Sequence, residues 1–301
     1  MHIVFSSAVR AALDDGRPVV ALESTIIAHG FPHPENLAVG RALEAAVAEA
    51  GAVPATIAVL DGEIRAGLTD GELERLASAD VAKCSVRDLP AICAHGRDGA
   101  TTVAATLRVA AAAGIKVFAT GGIGGVHRTA GGPADVSADL PELARSHAAV
   151  VSAGAKSILD LPATAEQLET YGIPVIGYRC DEFPAFHCRD SGLALAHRAD
   201  TPADLAAIVA AHRDLGLPGA VLVCNPPPEE VAMGSDEIEA LVGQAIRAAE
   251  AAGLTGPRVT PFLLAEINRL SGGRTERVNR ALAVSNASLG ASLAAALAAR
   301  D

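Results

Sequence analysis

Apolar residues recur along the chain with two spacings that alternate. PVVALEST (18–25) is a β-branched apolar run ending in polar residues, and it reads as a buried strand. PENLAVGRALEAAVAEAG (34–51) carries its apolar positions at helical spacing and stops at Gly51. ATIAVLDGEIRAG (55–67) predicts a hairpin turned at Asp61-Gly62. TDGELERLA (69–77) predicts a short helix capped by Thr69, and GATTVAATLRVAAAAG (99–114) predicts a helix closed by Gly114. IKVFATGGIGG (115–125) predicts a buried strand that runs into a glycine-rich loop. Further on the pattern predicts a helix over 139–146, a strand over 149–154, a helix over 164–172 and a strand over 173–178. A Thr-capped helix over 201–216, a strand opening 219–228, and helices near 235–252, 259–270 and 274–299 follow.

Strands alternating with helices of this length predict an α/β fold, in three layers α/β/α with a mostly parallel, mixed central sheet. The Asp-Gly hairpin and the segment FPAFHCRDSG are expected to make the sheet mixed. No linker, charge run or repeat divides the chain, so residues 1–301 read as one domain. In such sheets ligands gather at the carboxyl ends of strands.

Half of the 301 residues are hydrophobic, which is ample for a large core. The formal charge of −11 opposes phosphate backbones, and an aromatic share of 3 % without Trp removes the usual base-stacking surface. No nucleic acid is therefore expected as partner. The five Cys form no CxxC pair and read as free thiols, the N-terminus does not read as a secretory signal, and no run reaches ~18 uninterrupted apolar residues. A cytoplasmic chain without a membrane partner is the expectation. Of 24 basic residues only Lys83, Lys116 and Lys156 are lysines. Arg stays protonated, whereas a desolvated Lys can become a nucleophile.

Several strand ends carry chemistry. Glu23 closes the first strong strand and can serve as a general acid or base, or equally as a cap or ion-pair partner. Lys83 follows a short strand and can hold a phosphate or carboxylate as a point charge. GATTV opens a helix, where free N–H groups make an anion site or ordinary capping. GGIGGVHR lacks the third glycine of a dinucleotide fingerprint and opens no helix, so it reads as a close-approach loop ending in His127. Asp135, Ser137 and Asp139 alternate before a helix and can hold a hard cation or cap that helix. Lys156 follows an apolar strand and a small-residue turn. Desolvation there disfavours its ammonium form, and a neutral amine attacks carbonyl carbon. An ion pair with Asp160 is the alternative. Lys116 enters a strand, the wrong end for a ligand.

These segments together resemble the pseudouridine-5'-phosphate glycosidase family (indigoidine synthase A-like). The likeness runs through ALESTIIAHGFPHPENL, AKCSVRDLPA, GATTVAATLRVAAAAGIKVFATGGIGGVHR, DVSADLPEL, VVSAGAKSILDLPATAEQLETYGIPVIGY, EFPAFHCRDSG and CNPPPEE, in the family's order over nearly the whole chain. The resemblance implies reversible cleavage of pseudouridine 5'-phosphate to uracil and ribose 5-phosphate. It implies Glu23 as proton donor and Lys156 as nucleophile. Lys83, Val103, Ser137, Ala138 and Asp139 match substrate-binding positions, with His127 and Asn286 in further family-like segments. Asp135 matches the ligand of one mostly water-coordinated Mn²⁺ per subunit, and a homotrimer is implied. In this reading Glu23 protonates the ribose ring oxygen as Lys156 attacks C1' and forms an iminium, the electron sink for breaking the C1'–uracil bond. A Schiff-base lyase or aldolase acting on another sugar phosphate is the alternative activity.

Overall fold

A computed structural model describes residues 1–128, 135–254 and 259–300, with only the backbone at Pro261. The first third forms β1 (Val4–Phe5), α1 (Ser7–Asp14), β2 (Val19–Leu22), α2 (Thr25–His29), α3 (Glu35–Glu49), β3 (Val53–Leu60), β4 (Glu63–Ala66), α4 (Asp70–Ser78), β5 (Ala82–Cys84), α5 (Leu89–Ala94) and β6 (Gly99–Thr101). Next come α6 (Val103–Ala113), β7 (Val117–Ala119), β8 (Val126–His127), α7 (Asp139–Leu143), β9 (Ala149–Ser152), β10 (Leu159–Asp160), α8 (Leu161–Thr170) and β11 (Val175–Tyr178). The rest is β12 (His197–Ala199), α9 (Pro202–Asp214), β13 (Val221–Cys224), α10 (Ser235–Ala251), α11 (Val259–Leu270) and α12 (Arg274–Ala298).

One sheet of eleven strands organises the molecule, with helices on both sides. Its centre runs β3-β2-β7-β9-β13-β11-β12, all parallel. Every residue of VVAL in β2, AVVS in β9 and VLVC in β13 is buried, the continuous apolar signature of parallel strands covered on both faces. The sheet becomes mixed at β3, which pairs antiparallel with β4 and β6. The β3–β4 turn is the predicted hairpin: Leu60 faces Glu63, and Asp61 and Gly62 both have positive φ. FPAFHCRDSG adds no strand. Its residues make only isolated bridges, one of them between Ala185 and Gly154.

Two helices refine the sequence expectation. GATTV does not open helically: Gly99–Thr101 is β6, paired parallel to β5, and α6 begins at Val103. Helix α12 is long and apolar enough to cross a membrane by length and composition, yet more than half of its apolar window is buried inside the fold. It packs on α3, α9, β2, β7 and β9. Gly290 lets it come close, since a Cβ there would stand 3.1 Å from Cβ of Ala119 on β7.

Candidate active site

The carboxyl ends of β2, β7 and β9 lie side by side. Register pairs Leu22 with Ala119 and Ala119 with Val151. The next residues, Glu23 and Thr120, therefore emerge together, and Lys156 follows β9 by four residues. A small ribbon, β8 antiparallel to β10, ties the glycine-rich loop after β7 to the Lys156 loop.

Glu23 has a hydroxyl on each carboxylate oxygen. Thr120 donates to Oε1 and Thr25 to Oε2. The Thr25 hydroxyl also lies 2.7 Å from the Thr101 carbonyl. The turn is anchored below by Ser24, whose hydroxyl donates to the Ile57 carbonyl at 2.7 Å and accepts the Thr101 N–H at 2.8 Å. Among the described residues Glu23 caps no helix. Asn286 is fully buried, and its amide nitrogen donates to the carbonyls of Thr120 (2.8 Å) and Gly121 (3.2 Å). Its oxygen accepts from Asn225 at 2.9 Å. Asn286 thus stands behind the β7 end and meets Glu23 only through Thr120.

The opening of α6 is selective about its donors. Asp139 is 7 % exposed; Oδ1 accepts the Ala104 N–H at 2.9 Å and Oδ2 accepts the Gly124 N–H at 2.7 Å. Thr102 Oγ accepts the Ala105 N–H at 3.4 Å. Among the described residues nothing accepts the Val103 N–H, so it is the donor left for an anion at the helix start. Ser137 Oγ accepts the Asp139 N–H at 3.2 Å, and the Ser137 N–H donates to Gly125. Ala138 beside it is exposed. Gly124 must lack a Cβ, which would stand 2.3 Å from Ser137 Oγ.

Lys83 in β5 lies opposite Ala100 of β6, beside this helix start. Burial depresses its amine, Lys156 depresses it further, and Glu23 and Asp139 pull the other way. The residue as a whole is exposed, so solvent damps these couplings. Lys83 nevertheless lies within electrostatic reach of Lys156, Glu23 and Asp139.

Lys156 is half-buried, and among the described residues no carboxylate forms an ion pair with it. The Asp160 alternative is not realised: Asp160 caps α8 through the Ala163 N–H at 3.0 Å. His127 lies within the influence of both lysines. Burial lowers its pKa, Asp135 opposes this, and Lys156 and Lys83 add to it. The His127 backbone N–H donates to the Asp135 carbonyl at 2.9 Å. The Asp135 side chain is exposed, and no cluster of three metal-binding side chains occurs among the described residues. Lys116 lies at the amino end of β7, away from the site.

The sequence pattern did not single out Thr25, Thr120 or Asn225. Thr120 had a legible signal, since it follows a buried strand at its carboxyl end. That it faces Glu23 depends on β7 neighbouring β2, which spacing does not encode.

The chain matches the family described as "Indigoidine synthase A like protein" over residues 8–296. It is 56 % identical to a pseudouridine-5'-phosphate glycosidase of Cupriavidus pinatubonensis, over 98 % of this chain and 95 % of that one. It is 54 % identical to that of Symbiobacterium thermophilum, over 97 % of both. Among solved structures, the prealnumycin C-glycosynthase AlnA in complex with ribulose 5-phosphate superposes with TM-score 0.91 at 40 % identity, over 99 % and 97 % of the two chains. An indigoidine synthase A-like protein of Thermotoga maritima superposes at 0.89 with 36 % identity, over 98 % and 96 %. With the motifs, the fold and these relatives in agreement, the chain belongs to the indigoidine synthase A-like, pseudouridine-5'-phosphate glycosidase family.

Proposed function

We propose that this chain reversibly cleaves the C–C glycosidic bond of pseudouridine 5'-phosphate to give uracil and ribose 5-phosphate, with Lys156 as nucleophile and Glu23 as proton shuttle. The observation that carries this reading is Lys156, an amine with no carboxylate partner among the described residues, set among the same strand ends as a hydroxyl-held carboxyl, Glu23. The Val103 N–H and Lys83 supply the donors and charge that a 5'-phosphate needs.

The step balances with one travelling proton. Glu23 protonates the ring oxygen while the neutral Lys156 amine bonds to C1', which opens the ribose and leaves a secondary ammonium. That ammonium returns a proton to Glu23. The nitrogen lone pair then expels the base as Glu23 protonates uracil C5, and an iminium remains between Lys156 and C1'. Water hydrolyses it to ribose 5-phosphate and restores both groups. In this reading the iminium forms as the C–C bond breaks and does not precede the cleavage, which differs from the order expected from sequence.

Asp135 fits a Mn²⁺ that keeps most of its waters: one exposed carboxylate oxygen donor, with no competing partner among the described residues. Such a cation supplies positive charge toward an anionic substrate. A homotrimer in the cytoplasm completes the reading by family.

Uracil release from pseudouridine 5'-phosphate, with and without Mn²⁺, tests the reaction. Borohydride trapping of ribose 5-phosphate followed by mass spectrometry tests the nucleophile. The reading expects an adduct on Lys156 and none in Lys156→Ala; normal turnover by that variant would refute the mechanism. A Schiff-base lyase acting on another sugar phosphate would give the adduct without releasing uracil.

A further inference from the structure

Lys156 opens a turn that the Leu159 N–H closes on the Lys156 carbonyl at 3.0 Å. The next residue, Ser157, is 4 % exposed, and its hydroxyl lies 2.8 Å from Nδ1 of His187. His187 is 2 % exposed and sits in the segment between β11 and β12. That segment is itself pinned. The Phe186 N–H donates to Ala153 at 3.1 Å, and the His187 carbonyl accepts the Met233 N–H at 2.9 Å. From the other side the Arg128 guanidinium donates to the carbonyls of Leu159 (3.0 Å) and Ser157 (3.4 Å), and Glu239 holds it in place.

Two polar side chains buried together satisfy each other but add little net stability over an apolar pair of similar shape. What such a bond does fix is direction. Burial pushes the His187 imidazole down to about 3, so the ring is neutral and its bond to Ser157 persists through neutral pH. Ser157 is no second nucleophile, since its hydroxyl is enclosed and turned to the ring.

We propose that Ser157 and His187 are positioning residues that aim Lys156, the buried hydroxyl–imidazole bond fixing the turn from which the amine reaches C1'. This rests on the Schiff-base reading above. A misplacement of ~1 Å at a reacting atom can lower a rate ~100-fold.

The test compares wild type, Ser157→Ala, His187→Leu, the double variant and His187→Asn. Each is checked for folding by circular dichroism, then read by the rate of the borohydride-trapped adduct on Lys156 and by kcat and KM for uracil release. We expect Ser157→Ala and His187→Leu each to lower the trapping rate and kcat by ~10–100-fold, with KM within about twofold. The double variant should be no worse than either single, because both remove one bond. His187→Asn, which returns a polar atom near the position of Nδ1, should recover most of the rate. A merely structural pair would lower thermal stability without this split between kcat and KM. Wild-type trapping by Ser157→Ala, additive losses, or a rise in KM alone would overturn the proposal. Should His187→Leu not fold, Ser157→Ala and His187→Asn decide it. Absence of any adduct in wild type would instead remove the Schiff-base reading, and this inference with it.

Discussion

Glu23 and Asp139 are two carboxylates in one site, and their partners differ in kind. Glu23 meets the hydroxyls of Thr25 and Thr120, whereas Asp139 meets the backbone N–H groups of Ala104 and Gly124. A hydroxyl can donate or accept, so it accommodates a carboxyl with or without its proton. A backbone N–H only donates, so Asp139 is held as an acceptor, and the start of α6 favours a negative group there. One carboxylate has partners that suit the proton traffic proposed for it; the other is a fixed strut between the glycine-rich loop and the helix start. Chemical type alone does not separate these roles. The partners do.

Glu23→Gln breaks the comparison most directly. It keeps the shape and removes the transferable proton, so kcat should fall by ~10²–10⁴-fold with thermal stability little changed. A uracil-release assay beside a melting curve reads both, and near-normal kcat would remove Glu23 from the proton path. Asp139→Asn should invert the pattern. Its NH₂ must face one backbone N–H, which costs about 1–3 kcal/mol, so Tm should fall by several degrees while turnover falls less than in Glu23→Gln. An unchanged melting curve would show that Asp139 is not the strut described. Thr120→Val sharpens the Glu23 side. It removes one hydroxyl at nearly constant volume, and kcat should drop about tenfold, the equivalent of one net hydrogen bond of ~1.4 kcal/mol. Equal activity would mean that Thr25 alone suffices.

The parallel sheet was legible because apolar runs such as VVAL and VLVC leave no alternating face. The DG hairpin was legible because Asp61-Gly62 suits positive φ. The short α1 and α2 were not, since a helix of two turns carries too little periodicity to stand out. GATTV reads as a helix start because Thr102, a good cap, hides the three strand residues before it. At the site, Glu23 and Lys156 were legible from their places after strands. Which groups surround them was not, because the pairing of β2 with β7 and the reach of Asn286 across 166 residues to Thr120 are tertiary facts.

The smallest expected effect concerns Lys83, which lies within electrostatic reach of both carboxylates. Lys83 has a depressed pKa, first from burial and then from Lys156. The sign follows from protonation. The amine is charged below its folded pKa and neutral above it, so the hold on a phosphate proposed for it fades as pH rises through that value. Because the value is lowered, the fading begins below the range of a free lysine, near ~10.4. KM for pseudouridine 5'-phosphate should therefore climb at a lower pH than an unperturbed lysine would give. Lys83→Arg stays charged throughout and should give a flat profile. Lys156→Met offers the complementary control. It removes the like charge, so equilibrium binding of ribose 5-phosphate should weaken only at higher pH than in wild type. If Lys83→Arg reproduces the wild-type climb, the titrating group lies elsewhere, and Lys83 contributes no pH-dependent charge to phosphate binding.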